Sequence, residues 1–369
     1  MRIVIDATSL ADNFSGIERY CLNLCLSMIK NDNKNNYEIV FKNEVYKDFK
    51  ELNNVKFHIL NGKNKLIFNQ ITLPLYMKKL KADRYLFLAF PVPLLFRERG
   101  TLSTVFDLTA FLYPDTMKFK SMLLFKIGIK HSIKVSDFVI TISESSKRDI
   151  EKYLNFKNTN IIYCGVSDNI KNFVYDDNTK KIVDELYNLP KEYIMCLGTL
   201  EPRKNLTLLI DSFIELKKSH LLQEKLVIVG RRGWKYDNIM QKVISEGLEE
   251  EVFFTGFVDD EYLPYIYLKS KCFVFPSIYE GFGLPPLEAM ATGTIVITSD
   301  SSSLPEVVGD SGIIFKSESK EELTQSILNA LNLSEEDRKL YIKKGLKRAE
   351  FFNWDKEAIK LIEMIEGRG

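Results

Sequence analysis

Apolar residues in this chain fall in two alternating patterns. Short β-branched runs of four to six residues are separated by longer segments in which apolar side chains recur every three or four positions. The short runs read as buried strands and the longer segments as amphipathic helices. In the first half the strands are expected at residues 2–7, 37–41, 55–60, 84–88, 102–106, 137–142 and 160–163. Helices are expected at 17–29, 68–81, 122–134 and 144–154, the last capped by Ser143. In the second half strands are expected at 193–197, 226–229, 252–255, 272–275, 294–297 and 312–315. Helices there are expected at 204–217, 237–246, 261–268, 286–291, 321–331 and 335–351. Strand and helix alternate throughout, which predicts an α/β protein with parallel sheets covered by helices, twice over. Residues 175–188 are polar and end near Pro190, so the boundary is placed there, giving domains 1–174 and 175–353. A last segment, 354–369, carries its own period in Trp354, Ala358, Leu361, Ile362 and Ile365 and is expected to pack back on the first domain.

Composition changes this picture little. A length of 369 residues exceeds what one hydrophobic core usually supports. Lys and Arg total 51 against 50 Asp and Glu, so the net charge of +1 gives no global attraction to nucleic acid. The five cysteines form no CxxC pair and sit among apolar residues, which suits small buried hydrophobes in a reducing compartment. The amino terminus reads as a strand rather than a secretory leader, and no run approaches the roughly 20 apolar residues of a membrane span. A cytoplasmic protein is expected. One local patch stands out: between Lys118 and Lys134 lysines alternate with Met, Leu, Phe and Ile, and no acid intervenes. A basic amphipathic helix of this kind suits an anionic membrane surface; a core helix with solvated lysines is the plainer alternative. A second basic-apolar stretch runs from Lys78 to Arg99.

The densest chemistry lies in Phe275-Pro276-Ser277-Ile278-Tyr279-Glu280-Gly281-Phe282-Gly283-Leu284-Pro285-Pro286-Leu287-Glu288. It follows a buried strand and opens a helix. Gly281 and Gly283 let the backbone approach a ligand, and Pro285 and Pro286 suit a first helical turn. Glu280 then falls in the loop and Glu288 in the first turn of the helix. This is the carboxyl end of a parallel strand, where ligands bind in open α/β sheets. Free N–H groups at the helix start would favour a diphosphate, and two carboxylates beside it would accept hydrogen bonds from sugar and ribose hydroxyls. A turn with an acidic first helical turn is the alternative.

A second strand-to-helix junction, Gly198-Thr199-Leu200-Glu201-Pro202-Arg203-Lys204-Asn205, places two cations where a diphosphate would be neutralised. A third, Asn13-Phe14-Ser15-Gly16-Ile17-Glu18-Arg19-Tyr20, lacks both the GxGxxG and the Walker pattern but puts a glycine at the start of the first long helix.

Together with Phe106-Asp107-Leu108, Ile142-Ser143-Glu144-Ser145-Ser146, Val229-Gly230, Thr255-Gly256-Phe257-Val258 and Ser302-Ser303-Leu304-Pro305-Glu306-Val307, these segments resemble the GT-B glycosyltransferases, specifically glycosyltransferase family 4, over nearly the whole chain. The resemblance implies two Rossmann-like domains facing each other across a cleft and a retaining hexosyl transfer from a nucleotide-diphosphate sugar. The acceptor would be a glycan or lipid-linked molecule, and bacterial cell-surface polysaccharide or lipopolysaccharide synthesis would be the setting. It implies Glu280 on the donor sugar, Glu288 on the ribose, and Arg203 and Lys204 on the diphosphate. Gly198, Gly281, Phe282, Gly283 and Leu284 would lie against sugar and phosphates, and Gly230, Arg231 and Val258 at the base. Gly16 would approach the diphosphate from the opposite domain. The family often carries His before Asp in the first domain; here Phe106 precedes Asp107, which keeps Asp107 as a site candidate and gives Phe106 no catalytic part.

No metal or other cofactor is expected. There is no DxD motif, and His58, His131 and His220 are scattered. The same scarcity argues against a Ser-His-Asp hydrolase. With no nucleophile and acid pair required, leaving-group stabilisation by Arg203 and Lys204 is the expected catalytic device. Two other readings share the fold: a sugar-nucleotide 2-epimerase, which needs a histidine near the sugar, and a non-catalytic sugar-nucleotide binder.

Overall fold

A computed structural model describes residues 1–10, 15–52, 55–233 and 236–367. Asn13 and Phe14 of the third motif, and the last two residues of the terminal segment, lie outside these. The chain forms two compact units, one of Met1–Gly165 with Asn353–Gly369 and one of Val166–Phe352.

Among its described residues the first unit holds seven strands: β1 (Arg2–Asp6), β2 (Asn36–Lys42), β3 (Val55–Leu60), β4 (Arg84–Phe87), β5 (Thr101–Thr104), β6 (Phe138–Thr141) and β7 (Thr159–Ile161). All pair in parallel, in the order β3-β2-β1-β4-β5-β6-β7. Ile3, Val4 and Ile5 of β1 are fully buried, as a central strand covered on both faces must be. Order reverses between β1 and β4, so the loops leaving these two strands diverge.

The second unit holds β8 (Tyr193–Leu197), β9 (Lys225–Val229), β10 (Val252–Gly256), β11 (Phe273–Phe275), β12 (Val296–Ser299) and β13 (Ile313–Phe315). They are parallel in the order β10-β9-β8-β11-β12-β13. Here the order reverses between β8 and β11, and the two richest sequence motifs follow these two strands.

All thirteen expected strands are present, with ends shifted by a residue or two. The polar stretch read as a hinge is instead largely a helix, Asp177–Leu186, capped by Asp176. Its Val183 is buried, and its Asp184 accepts from Tyr265 Oη at 3.0 Å and from Lys269 Nζ at 2.6 Å. Its other apolar side chains, Ile182 and Leu186, are exposed. Residues 166–174 cluster with the second unit rather than the first.

The helix Trp354–Glu366 buries the five apolar residues of its period and belongs to the first unit. Asp355 pairs with Lys30 at 3.0 Å and accepts from Asn31 at 2.8 Å, both on the helix Gly16–Asn31. Arg84 donates to the Ile365 carbonyl at 2.8 Å. Gly165 passes so close that a Cβ there would stand 2.5 Å from the Trp354 nitrogen. All five cysteines are buried thiols. Burial pushes the Cys196 and Cys272 thiols up to about 12.

Candidate active site

The loop after β8 and the loop after β11 meet, and their charged residues form one cluster. Arg203 Nη1 lies 2.8 Å from Glu280 Oε2, and Lys204 Nζ lies 2.6 Å from Glu280 Oε1. Each carboxylate oxygen thus faces one cation. The Glu280 side chain is only 12% exposed and those of its partners 18% and 13%. Burial pushes the Glu280 carboxyl up, but the charges of Arg203 and Lys204 prevail and hold it down at about 2. Glu280 is therefore an acceptor and not an acid at neutral pH.

The cluster is braced by the backbone. Arg203 Nη1 also donates to the Tyr279 carbonyl at 2.7 Å, and the Ile278 N–H donates to the Arg203 carbonyl at 3.0 Å. The Glu280 N–H donates to Ser302 Oγ at 2.8 Å, and Ser303 Oγ donates to the Glu280 carbonyl at 2.9 Å. Lys204 Nζ sits 4.8 Å from the centre of the Phe275 ring. These bonds fix both ends of the Glu280 segment before any ligand arrives.

Two details differ from the sequence reading. Arg203 and Lys204 do not begin the following helix. They occupy a 3-10 turn, Pro202–Lys204, and Asn205, at φ 52°, separates it from the helix Leu206–Lys218. The two cations thus gather at Glu280 and are not placed against a helix dipole. The helix after Gly283 starts at Leu284 and runs to Ala291, so Glu288 lies in its second turn rather than its first. Pro285 and Pro286 lack N–H groups, and the Leu287 N–H already donates to the Gly283 carbonyl at 3.1 Å. Of the four amides that a helix leaves unbonded at its start, Pro285 and Pro286 remove two and those of Gly283 and Leu284 remain to face an anion, so the expected N-terminal anion site shrinks and more falls to the cations.

Glu288 is buried, and Tyr267 Oη donates to its Oε2 at 3.2 Å. Glu288 bonds to Tyr267 and Glu280 to the two cations, so the two glutamates have different surroundings. Gly198 and Gly230 serve the crossing of the loops: a Cβ on Gly230, at φ 144°, would stand 2.0 Å from the Gly198 oxygen. The Gly230 N–H donates to the Gly256 carbonyl at 2.8 Å. Arg231 lies 4.3 Å over the exposed Phe257 ring, beside buried Val258, which makes a flat cationic edge at the ends of β9 and β10. Gly281, Phe282 and Gly283 are buried in the loop, and the Phe282 ring meets Phe352 edge-on at 5.3 Å.

In the first unit Gly16 is the first residue of its helix. The helix is capped by Ser15, with the Ser15 N–H donating to Glu18 at 2.9 Å. Glu18 thus already supplies an anion at this helix start. Asp107 Oδ1 accepts from the Thr109 N–H at 2.7 Å and so shapes the turn before a short helix. Phe106 packs edge-on against Tyr20 at 5.2 Å, and its carbonyl accepts from Ser146 Oγ at 2.8 Å.

Sequence reading passed over Glu201, whose Oε1 takes Arg203 Nη2 at 2.8 Å, and Tyr267. Glu201 stood inside a quoted motif; Tyr267 had no local signal, since its partner is twenty-one residues away. Ser302 and Ser303 were quoted without a role. Among the described residues no group of three or more His, Cys, Asp and Glu gathers as metal ligands would.

The second unit's site coincides with a match to a family model described as group 1 glycosyl transferases, over residues 177–348. O-antigen chain mannosyltransferase B of Escherichia coli is 30% identical over 261 residues, which are 70% of this chain and 68% of that protein. The serotype-specific mannosyltransferase WbdA of Escherichia coli is 30% identical over 233 residues, 62% of this chain; the match spans only 28% of that longer protein. Among solved structures, HepE of Anabaena, crystallised with UDP and glucose, superposes with a TM-score of 0.75 at 17% identity over 100% of both chains. That likeness establishes the fold, two Rossmann-like α/β domains of the GT-B type.

Proposed function

We propose, for a chain that belongs to the group 1 glycosyltransferases, that the second unit binds a nucleoside-diphosphate sugar and passes its hexose to a hydroxyl of a glycan or lipid-linked acceptor. The anomeric configuration is kept, and the first unit selects the acceptor. The observation that carries this reading is the Arg203–Glu280–Lys204 triad at the strand-order reversal.

In the triad Glu280 is the cations' counter-ion. An arriving diphosphate competes for Arg203 and Lys204 and leaves Glu280, ionised at neutral pH, to accept hydrogen bonds from the sugar's hydroxyls. The bond from the anomeric carbon to the diphosphate oxygen then breaks with its electrons going to that oxygen, where both cations stabilise the charge. The acceptor oxygen forms its bond to the same carbon on the same face, and its proton passes to the departing phosphate. Glu288, oriented by Tyr267, holds the ribose, and Arg231 with Phe257 and Val258 holds the base. Gly198, Gly281, Gly283 and the Leu284 amide give the backbone its close approach.

The mannosyltransferase relatives make mannose the first sugar to try, and bacterial O-antigen or lipopolysaccharide assembly, on the cytoplasmic side, the first setting. A thermal-shift panel of GDP-mannose and UDP-, ADP- and dTDP-sugars identifies the donor, since a ligand of the folded state raises Tm by mass action. Product analysis then separates a transferase, which yields free nucleoside diphosphate and a glycosylated acceptor, from an epimerised donor or from binding without turnover. Arg203→Ala with Lys204→Ala is expected to cut turnover by about a hundredfold or more while donor binding falls less; unchanged turnover overturns the mechanism.

A further inference from the structure

We propose that one face of the first unit docks on an anionic lipid bilayer. The inference concerns residues remote from the donor loops and goes beyond the transfer reaction.

Three elements build the face. The helix Phe119–Val135 buries only Gly128, Ile129 and Ser132; it reaches the core through Ile129 and Ile133 and leaves the rest of its apolar side chains for another partner. Phe119, Leu123 and Ile127, one helical turn apart, are exposed along it; Phe119 is 72% exposed. A second exposed stripe, Ile67, Ile71 and Leu75, follows the same spacing on the helical segment between Lys65 and Lys79. The loop between the two helices carries Leu94 and Leu95, both exposed.

This loop is bonded to both helices. The Leu94 N–H donates to Gln70 Oε1 at 2.9 Å on one side. On the other the Val92 N–H donates to Ser132 Oγ at 2.8 Å, and the Pro93 carbonyl meets His131 Nε2 at 3.1 Å. Gly128 lets the loop lie against its helix: a Cβ there would stand 2.8 Å from Pro91. The apolar stripes and the loop are thus one connected surface.

Charge selects the occupant. Residues 52–82 contain no Asp or Glu, and neither do residues 116–136. Exposed Lys63, Lys65, Lys79, Lys120, Lys130 and Lys134 border the stripes. Glu98, the acid nearest the loop, is paired with Lys78 at 3.0 Å, and Asp137 accepts from the Gly100 N–H. Apolar side chains flanked by lysines on long stems suit insertion at the boundary between acyl chains and anionic headgroups. The same face of a second copy does not fit, because it brings the same lysines and no acids to such a contact. Among the described residues no helix is long and apolar enough to cross a membrane, so the contact is a surface one.

The test is co-sedimentation of the whole chain with phosphatidylcholine vesicles, with and without phosphatidylglycerol, at low and high salt. Binding is expected only with phosphatidylglycerol, and it should weaken as salt rises. Phe119→Ser with Leu123→Ser and Leu124→Ser should reduce the bound fraction by about tenfold or more, and Lys120→Glu with Lys130→Glu should do the same without removing apolar area. All these side chains are exposed, so the variants are expected to keep their Tm. Nucleotide-sugar thermal shifts on the same variants report the donor site separately, and they should not change. Absence of wild-type binding to phosphatidylglycerol vesicles at low salt, or binding by both variants equal to that of the wild type, overturns the proposal. So does a wild-type dimer that the serine variant abolishes, because the face would then be a protein interface.

Discussion

Replacing Glu280 by Gln keeps the side chain's shape and removes the charge that two largely buried cations share. Lowering this carboxyl from an ordinary 4.5 to about 2 corresponds to on the order of 3 kcal/mol of coupling between its charge and the folded site. A group whose folded value is depressed stabilises the protein above its unfolded value, and that stabilisation is lost as pH falls through the folded one. The expected gap between wild type and Glu280→Gln is therefore about 3 kcal/mol at pH 7, shrinking to about 1.4 kcal/mol at pH 3. The Arg203 and Lys204 heads are left unpaired in the variant, which pushes the loss at pH 7 toward the upper part of the range for a broken buried pair, about 3–5 kcal/mol. For a unit of this size a loss of about 3–5 kcal/mol lowers Tm by roughly 6–20 °C. Urea denaturation of both proteins at pH 7 and pH 3 measures the two gaps. A gap under about 0.5 kcal/mol at pH 7 refutes the coupling. A gap of the same size at both pH values shows that Gln harms packing and not charge. The freed cations should also bind a plain nucleoside diphosphate at least as tightly as before while sugar transfer falls, which separates donor grip from catalysis.

Two further substitutions test neighbouring parts of the site. Glu201→Gln removes the second carboxylate on Arg203 and leaves the empty cluster with a net positive charge. Turnover should fall by about tenfold as Arg203 loses its anchor, while inhibition by nucleoside diphosphate strengthens; unchanged values for both would show Glu201 to be a bystander. Gly230→Ala sets a methyl group 2.0 Å from the Gly198 oxygen at a backbone angle that side chains avoid, so a loss of more than about 2 kcal/mol in chemical denaturation is expected. A near-neutral result there would mean that the loops ending β8 and β9 can separate without cost.

Much of the fold was legible along the chain because its causes are local. A parallel strand covered on both faces must be apolar at every position, so Ile3-Val4-Ile5 and Leu226-Val227-Ile228-Val229 announce themselves without reference to any partner. The terminal helix likewise carries its buried face in its own spacing, from Trp354 to Ile365. The helix 177–186 did not show, because what holds it is largely a pairing of Asp184 with Tyr265 and Lys269 some eighty residues away.

For the site, sequence alone determined the residue types and where along the chain each strand hands over to a loop. It therefore named Arg203, Lys204, Glu280 and Glu288. Only the tertiary structure decided who faces whom: strand order brings the loops after β8 and β11 side by side, and Glu280 takes both cations while Glu288 turns to Tyr267. The physical reason is the same in each case. Apolar periodicity is written residue by residue, whereas a charge acquires its partner, its burial and its proton affinity only when distant segments close around it.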